Sequence, residues 1–330
     1  MADFSIERST CASRIAVPLA MLLVLVLASL PFWADSSTLR LFVEFACLLA
    51  LAQMWNLLAG YGGLVSVGQQ GFLGIGGYAL FILADIGQLN PFVCVPLAGL
   101  VAALIAIPTS KIVFRLQGGY FAIGTWVVAE VFRLIAANAS FIGGGSGTSL
   151  TALRGIPKAT RESITFWMGL ALAVGAIALL YWLLRSRHGL ALTAIRDNER
   201  AAASQGVDIG GTKFWTYVVA AFGCGVAGAI YFLMNLRISP DAAFNVSWAA
   251  FIIFIVVIGG IGTIEGPIIG TLLYFLLRET LADFGTWYLI LLGVIAVIVM
   301  VKFPKGLWGY IAGRYDLHLF PVRRHVTLSE

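Results

Sequence analysis

Long apolar runs alternate with short polar segments along almost the whole chain. A transmembrane helix needs about 20 predominantly apolar residues. Several runs reach that length, whereas others, notably the eighth and ninth, are shorter or interrupted by glycine. The pattern therefore predicts an all-α fold, a polytopic transmembrane helical bundle of about ten spans with broken Gly-rich helices. The predicted spans are Ile15–Trp33, Leu39–Ala59, Val65–Ala84, Phe92–Ser110, Tyr120–Ala137, Ile164–Leu184, Phe214–Met234, Trp248–Gly262, Pro267–Leu277 and Trp287–Val301.

The composition indicates that the lipid bilayer surrounds this chain. Of the 330 residues, 60% are hydrophobic and 11% are charged, whereas a soluble domain carries about 25% charged residues. A single water-soluble core could not bury so much apolar surface. The formal net charge of +5 comes from basic residues that lie between the apolar runs. Because no basic stripe with interleaved aromatic residues is present, nucleic-acid binding is excluded.

The basic residues fall mainly on one side of the predicted bundle. With ten spans, the side that carries both termini and the segment 185–213 holds most lysines and arginines. The opposite side holds Asp35, Asp85, Asp241 and Asp283. Cytoplasmic loops carry such a basic excess, so both termini are predicted to be cytoplasmic. The predicted domains are a cytoplasmic arm (1–14), a transmembrane domain (15–309) with one long cytoplasmic loop (185–213), and a cytoplasmic tail (310–330).

Two glycine clusters, at residues 60–78 and 259–270, interrupt the apolar pattern. One interpretation is a helix-packing surface, because glycine lets membrane helices approach closely. The other is a broken helix beside a transport path, where freed backbone groups and polar side chains face water or substrate. The clusters resemble each other weakly, and the predicted topology places both at the cytoplasmic side. The candidate path or helix-break residues are Gly62, Gly63, Ser66, Gln69, Gln70, Gly71, Gly74, Gly259, Gly260, Thr263 and Glu265.

Few charged residues lie inside the predicted spans, and those at membrane depth are Glu44, Glu130 and Arg133. Intramembrane charges are candidate functional residues. Glu130 and Arg133 are three residues apart on one helix face and can pair with each other, so a structural ion pair is an equally good interpretation. An ion-coupled carrier would need an isolated carboxylate or a relay of several, and the spans show neither.

The sequence contains no catalytic or metal-binding pattern. The four cysteines are scattered without a CxxC pair, and the three histidines flank or follow the spans, so no metal site is predicted. The run from Gly206 to Lys213 resembles a phosphate-binding loop, but Thr212 precedes Lys213 where that motif requires Gly-Lys-Ser/Thr. We therefore expect a chain without cofactor that does not hydrolyse ATP itself.

The segment 185–213 is the most polar stretch between spans. Its part Ala191–Gln205 contains three consecutive alanines and several charged residues, a composition that favours helix. Gly206 follows as a natural helix stop. A short cytoplasmic surface helix is predicted here.

Five short runs, which occur in order between Leu39 and Gly309, jointly resemble the permease subunits of branched-chain amino acid ABC importers, the LivM-like branch. Each run is weak by itself, and together they are specific. They are WNLLAGYGGLVSVGQQGF (55–72), GGYFAI (118–123), RDNERAA (196–202), VIGGIGT (257–263) and FPKGLWG (303–309).

The resemblance implies a non-catalytic pore subunit of a bacterial inner membrane that moves branched-chain or other apolar amino acids into the cytoplasm. The implied partners are a second, related permease (LivH-like), two cytoplasmic ATPase subunits that bind the ATP, and a periplasmic substrate-binding protein. It also implies an ATPase-docking loop. Ala201, Ala202 and Gly206 keep the spacing of the family's motif, whereas Arg200 stands at its glutamate position and Glu199 one residue earlier. The candidate docking residues are Arg196, Asp197, Asn198, Glu199, Arg200, Ala201, Ala202 and Gly206.

Three other functions stay open. A related ABC importer for urea or short amides would share the fold. An ion-coupled secondary carrier is disfavoured by the scarcity of intramembrane carboxylates. A membrane-embedded enzyme would need paired acids or a nucleophile with its base, and neither is visible. The solute, and whether the pore is a homodimer or a heterodimer, do not follow from this sequence.

Overall fold

The computed structural model describes residues 4–7, 11–281, 287–303, 305–315, 319–320 and 325–328, and most of these residues are helical. Short π-helical turns extend α2 at Leu57–Tyr61 and α3 at Ile82–Ile86. The helices are α1 (Cys11–Ala28), α2 (Ser36–Asn56), α3 (Gln69–Phe81), α4 (Pro91–Val113), α5 (Gly119–Asn138), α6 (Lys158–Arg185), α7 (Arg187–Asp197), α8 (Glu199–Ser204), α9 (Ile209–Asn235), α10 (Pro240–Ala243), α11 (Ser247–Gly259), α12 (Glu265–Leu281), α13 (Trp287–Lys302) and α14 (Gly306–Tyr315).

The described strands form two short antiparallel pairs outside the long helices. One joins the ends of the chain, where β1 (Phe4–Glu7) pairs with β4 (His325–Leu328). In the other, β2 (Thr148–Ser149) pairs with β3 (Arg237–Ile238). The second pair ties the segment that follows α5 to the segment that follows α9.

The predicted polytopic all-α bundle is confirmed. Within the described residues, seven helical stretches are long and apolar enough to cross a membrane. The other three predicted spans fall on α1, α3 and α12, which are shorter or less apolar. Helix α3 has 13 residues and its π-helical extension five more, which together correspond to about 27 Å, close to the roughly 30 Å thickness of the hydrocarbon core. The non-helical segment 62–68 separates this helix from α2 and its π-helical turn.

The helix ends alternate between two sides of the bundle, as the charge pattern predicts. At one side, which we call the α7–α8 end, the Gly60 carbonyl oxygen accepts a hydrogen bond from Arg196. At the other, the α10 end, the Asp85 carboxylate accepts hydrogen bonds from the backbone N–H groups of Thr151 (3.0 Å) and Ala152 (2.7 Å). Asp283, which also supported the predicted orientation, lies outside the described residues.

A capped helix start lies at the α10 end. Asp35 is the N-cap of α2, and its carboxylate accepts a hydrogen bond from the backbone N–H of Ser37 at 3.2 Å. The hydroxyl groups of Ser37 and Thr38 also donate to it, and these bonds lower the pKa of Asp35 to about 2. The carboxylate is therefore ionised at every physiological pH.

Glycines allow α9 to lie at the centre of the bundle, packed against α3 and α4. A Cβ atom at Gly76 of α3 would lie 2.5 Å from both the carbonyl carbon and the Cα of Gly225 on α9. A Cβ at Gly228 would lie 2.7 Å from the carbonyl carbon of Leu73. Carbon atoms that are not bonded normally approach to about 3.5–4.0 Å, so these backbones are in direct contact and only glycine fits. Small residues at helix interfaces allow this type of packing in membranes.

Candidate functional site

The predicted surface helix at Ala191–Gln205 is two helices, α7 and α8, and this part of the prediction was wrong. Asn198 separates them, with an extended backbone (φ −159°, ψ 106°). Its side-chain oxygen accepts a hydrogen bond from the backbone N–H of Ala201 at 3.0 Å. An asparagine that caps a new helix in this way interrupts the preceding one. The two helices therefore form an angled element rather than one rod.

The candidate docking residues differ in what they contact. Ala202 is buried against its own chain, whereas Arg200 and Ala201 are exposed. The Glu199 carboxylate accepts a hydrogen bond from Lys213 at 2.7 Å, which ties the start of α8 to α9. Gly206 has a left-handed backbone (φ +81°), as expected for a helix stop. A partner protein would therefore meet the exposed face of α8, and the Ala202 methyl group cannot reach it.

Arg196, near the end of α7, contacts the first glycine cluster. Its Nη1 donates to the carbonyl oxygen of Gly60 at 2.8 Å. Its Nε and Nη2 donate to the Asp197 carboxylate at 3.1 and 3.0 Å. A Cβ at Gly63, whose φ is +69°, would lie 3.5 Å from the Cα of Arg196. The surface helix α7 therefore lies directly on the first helix break.

The two glycine clusters meet each other at this end. The Asn56 amide nitrogen donates to the carbonyl oxygen of Thr263 at 2.7 Å, and the Gly262 N–H donates to the Asn56 amide oxygen at 2.8 Å. The Gln53 amide nitrogen donates to the carbonyl oxygen of Ile264 at 2.8 Å. Both clusters lie on the same side of the bundle, as the charge-based topology predicts. Their likeness is therefore not the sign of an inverted repeat.

Asn56 and Gln53 were not among the sequence-predicted site residues. Both side chains are fully buried, at 0% exposure. They lie three residues apart, on one face of α2, in a span that is otherwise almost entirely apolar. Two amide side chains with helical spacing inside an apolar run are the signal that could have identified them, because an amide in a membrane interior needs a hydrogen-bonding partner.

The polar residues of the first cluster do not face an open path in this chain, contrary to one of the two sequence interpretations. Ser66, Gln69 and Gln70 are all buried within the bundle. The Trp55 indole donates to the carbonyl oxygen of Ser66 at 2.7 Å, so protein groups satisfy the backbone of the break. Gln69 accepts a hydrogen bond from the Cys224 thiol at 2.8 Å. Among the described residues, the Gln70 amide has no hydrogen-bond partner.

The remaining glycines of the two clusters pack against neighbouring elements. A Cβ at Gly71 would lie 3.1 Å from the Cβ of Ala129 on α5, and one at Gly74 would lie 2.5 Å from the Cδ1 atom of Phe244. A Cβ at Gly259 would lie 2.6 Å from the carbonyl carbon of Gly266, where α11 meets α12. Gly74 and Gly259 leave no room for a side chain, because the Phe244 ring approaches the first and the Gly266 backbone approaches the second. The other cluster glycines named as candidates, Gly62 and Gly260, lie in the break segments at the α7–α8 end.

The second break ends at a capped helix start. The Thr263 hydroxyl donates to the carbonyl oxygen of Gly260 and accepts from the N–H of Gly266, at 2.8 and 3.0 Å. Glu265, in the first turn of α12, is buried, and its carboxylate accepts a hydrogen bond from the backbone N–H of Phe320 at 2.9 Å. Glu265 thus fastens part of the C-terminal segment to the break rather than facing a path.

The charged residues of the spans form ion pairs near the α10 end. Arg278 on α12 makes a bidentate contact with Glu44 on α2, at 2.6 and 3.0 Å. Arg133 lies 2.6 Å from Glu130 and 2.7 Å from Asp241. Neither glutamate is isolated, and the described residues contain no cluster of histidine, cysteine and acidic side chains that could hold a metal ion.

Comparison with known proteins identifies the family. A family profile described as "Branched-chain amino acid transport system / permease component" matches residues 37–300. The chain is 28% identical to the Escherichia coli K12 "High-affinity branched-chain amino acid transport system permease protein LivM", over 92% of this chain and 76% of the relative. It is 26% identical to the "Probable branched-chain amino acid transport permease protein LivM" of Methanocaldococcus jannaschii, over 63% of this chain and 64% of that protein.

A further relative from Methanocaldococcus jannaschii is the "Probable branched-chain amino acid transport permease protein LivH", which is 23% identical over 71% of this chain and 80% of the relative. No solved structure matches the chain. The profile covers most of the sequence, including both glycine clusters, the segment 185–213 and the helices that position them. The chain is a multi-pass membrane protein that belongs to the permease component family of branched-chain amino acid transport systems.

Proposed function

We propose that this chain is the transmembrane permease subunit of an ATP-driven ABC importer that moves branched-chain amino acids into the cytoplasm. Family membership and the names of the relatives support the solute class. The observation that carries the mechanism is the hydrogen bond from Arg196 on the surface helix α7 to Gly60, in the π-helical turn directly before the first helix break. This bond joins an element that a partner can reach to an element inside the bundle.

In this proposal, separate subunits supply the chemistry. Two cytoplasmic ATPase subunits bind and hydrolyse ATP, a LivH-like permease completes the pore, and a periplasmic binding protein delivers the solute. The exposed side of α8, with Arg200, Ala201 and Ala203, is the docking surface for an ATPase. The Glu199–Lys213 ion pair holds α8 against α9, so a displacement of α8 is passed to the spans. The chain lies in a bacterial inner membrane with both termini in the cytoplasm.

The exposed face of α5 is the surface that we propose faces the solute path or the second permease. Val127, Val131 and Leu134 on this helix are exposed. The same helix carries Glu130, whose side chain is 44% exposed, and its partner Arg133. Charged residues at membrane depth face other protein or a water-filled cavity rather than lipid. The face of α5 with this ion pair is therefore covered by protein or water in the assembled transporter.

Uptake by the reconstituted complex tests the proposed function. Proteoliposomes would contain both permeases and both ATPase subunits, with the binding protein added on the opposite side from the ATPases. Labelled leucine is expected to accumulate only when ATP is supplied, and excess unlabelled isoleucine or valine should suppress its uptake. Excess urea should not. ATP-dependent uptake of urea without uptake of leucine would contradict the proposed solute class, and would favour the related amide importer.

A further inference from the structure

A pair of buried amides on α2 holds the second helix break in place. Asn56 and Gln53 are separated by three residues, so both side chains point toward the same strip of neighbouring structure. That strip consists of Gly262, Thr263 and Ile264, between α11 and α12. Three hydrogen bonds, of 2.7, 2.8 and 2.8 Å, cross from one element to the other.

Asn56 binds the backbone of this segment through both polar atoms of its side-chain amide. Its nitrogen donates to the carbonyl oxygen of Thr263, and its oxygen accepts from the N–H of Gly262. The donor and the acceptor of one amide thus satisfy two consecutive backbone residues. A buried backbone group that loses its hydrogen-bond partner costs about 1–3 kcal/mol. Asn56 therefore stabilises the conformation of the break at 260–264.

Close packing adds to these bonds. A Cβ at Gly60 would lie 2.7 Å from the backbone nitrogen of Gly262. The two backbones consequently touch, and no side chain can separate them. Gly262 has a φ of +75° and Gly260 a φ of +140°, conformations that favour glycine. The end of α2 and the second break are therefore in direct contact at Gly60 and Gly262, two positions where only glycine fits.

The same contact reaches the surface. Gly60 lies one helical turn after Asn56, and its carbonyl oxygen accepts the hydrogen bond from Arg196 on α7. A Cβ on Gly262 would lie 3.3 Å from the Nη1 of Arg196. A continuous chain of contacts therefore runs from the surface helix through Arg196 to Gly60 and Gly262, and from there to Asn56.

We propose that Asn56 is a positioning residue that fastens the second helix break to the first, so that a displacement of α7 through Arg196 moves both breaks together. This inference rests on the proposed ATP-driven transport. In this inference, the buried Asn56 amide couples α11 and α12 to the movement that the ATPases drive. Without Asn56, the contact between Gly60 and Gly262 and the hydrogen bond from Gln53 to Ile264 remain, but the segment 260–264 follows a displacement of Gly60 less closely.

The test measures how many ATP molecules are hydrolysed for each leucine transported by the reconstituted complex. Asn56→Leu keeps the side-chain size and removes both hydrogen bonds, and it is expected to raise this ratio at least about fivefold, the lower end of coupling effects between sites. ATP hydrolysis should stay close to wild type. Thr109→Val removes another buried side-chain hydrogen bond, near the end of α4, and is expected to leave the ratio unchanged.

A double variant distinguishes transmission from a local packing defect. If Arg196 and Asn56 act in one chain, then Arg196→Ala with Asn56→Leu should raise the ratio no more than either change alone, because coupled residues are not additive. Effects that multiply in the double variant, or a wild-type ratio for Asn56→Leu, would overturn the inference. If the wild-type complex shows no ATP-dependent uptake, the proposed function fails instead, and the two failures are thus separate.

If the Asn56→Leu variant does not assemble, variants of Arg196, the residue of this contact network nearest the surface, provide the test. Arg196→Ala is expected to assemble and to raise the ratio, and Arg196→Lys, which still donates a hydrogen bond toward Gly60, should restore most of the coupling. An unchanged ratio in Arg196→Ala would contradict the inference.

Discussion

Replacing Gly76 by alanine should destabilise the bundle more than any comparable change in the first glycine cluster. The added Cβ would lie 2.5 Å from the carbonyl carbon and the Cα of Gly225. Ordinary carbon contacts are about 3.5–4.0 Å, so α3 and α9 would have to separate by roughly 1 Å. A gap of that size removes about a quarter to a half of the dispersion attraction along the interface. Overpacking costs about 1–3 kcal/mol and occasionally more, and a backbone neighbour cannot rotate away, so we expect about 3 kcal/mol.

Thermal unfolding of the detergent-solubilised protein, followed by size-exclusion chromatography after heating, measures this cost. A loss of about 3 kcal/mol should lower the melting temperature by on the order of 5 °C or more. Gly71→Ala should lower it less, because its Cβ would lie 3.1 Å from the Cβ of Ala129, a much smaller overlap than at Gly76. Gly175→Ala on α6 meets no atom within 4 Å and is the matched control, expected to be neutral or stabilising. A melting temperature for Gly76→Ala equal to that of Gly175→Ala would refute the close-packing argument.

Three further predictions follow from individual residues. Ala203→Trp on the exposed face of α8 should leave the melting temperature unchanged but lower leucine uptake, and normal uptake with this variant would contradict the docking surface. Glu44→Gln removes the charged partner of Arg278 from a half-buried bidentate ion pair. It should lower the free energy of unfolding by about 1–2 kcal/mol, because a charged group loses its partner, and a wild-type melting curve would show that the pair contributes nothing. In single-cysteine variants, position 196 should react with an impermeant thiol reagent only from the cytoplasmic side and position 241 only from the outside, and the reverse result would invert the topology.

The apolar pattern was sufficient to predict the all-α membrane bundle, but not which helices would be enclosed by the others. Hydropathy reports how well a segment tolerates lipid, and it does not show what surrounds the segment. All residues of α3 are buried, because it packs against α9 and α4. The glycines predicted a close approach at this helix, and Gly76 and Gly228 provide it.

The candidate site was less predictable, because its geometry depends on long-range contacts. The sequence predicted interruptions near the two glycine clusters, and non-helical segments lie at 62–68 and 260–264, but Gln69, Gln70, Gly71 and Gly74 lie inside α3. What surrounds α3 depends on contacts that no local pattern shows. Asn198 interrupts the surface helix through a local hydrogen bond to Ala201, and asparagine is a good N-cap, so this break could have been predicted. The contact between Asn56 and Thr263 joins residues 207 positions apart, and no local pattern shows which segment such an amide will meet.

The source of energy is the most direct test of the central claim. In proteoliposomes that contain the whole complex, leucine uptake is measured with ATP supplied to the ATPase subunits, in the presence and absence of a protonophore. The span carboxylates Glu44 and Glu130 are both paired with an arginine, and the buried Glu265 accepts a hydrogen bond from the backbone N–H of Phe320, so no proton relay is expected. Uptake should require ATP and continue when the protonophore collapses the proton gradient. Uptake that proceeds without ATP, or that stops with the protonophore while ATP is still present, would contradict the account.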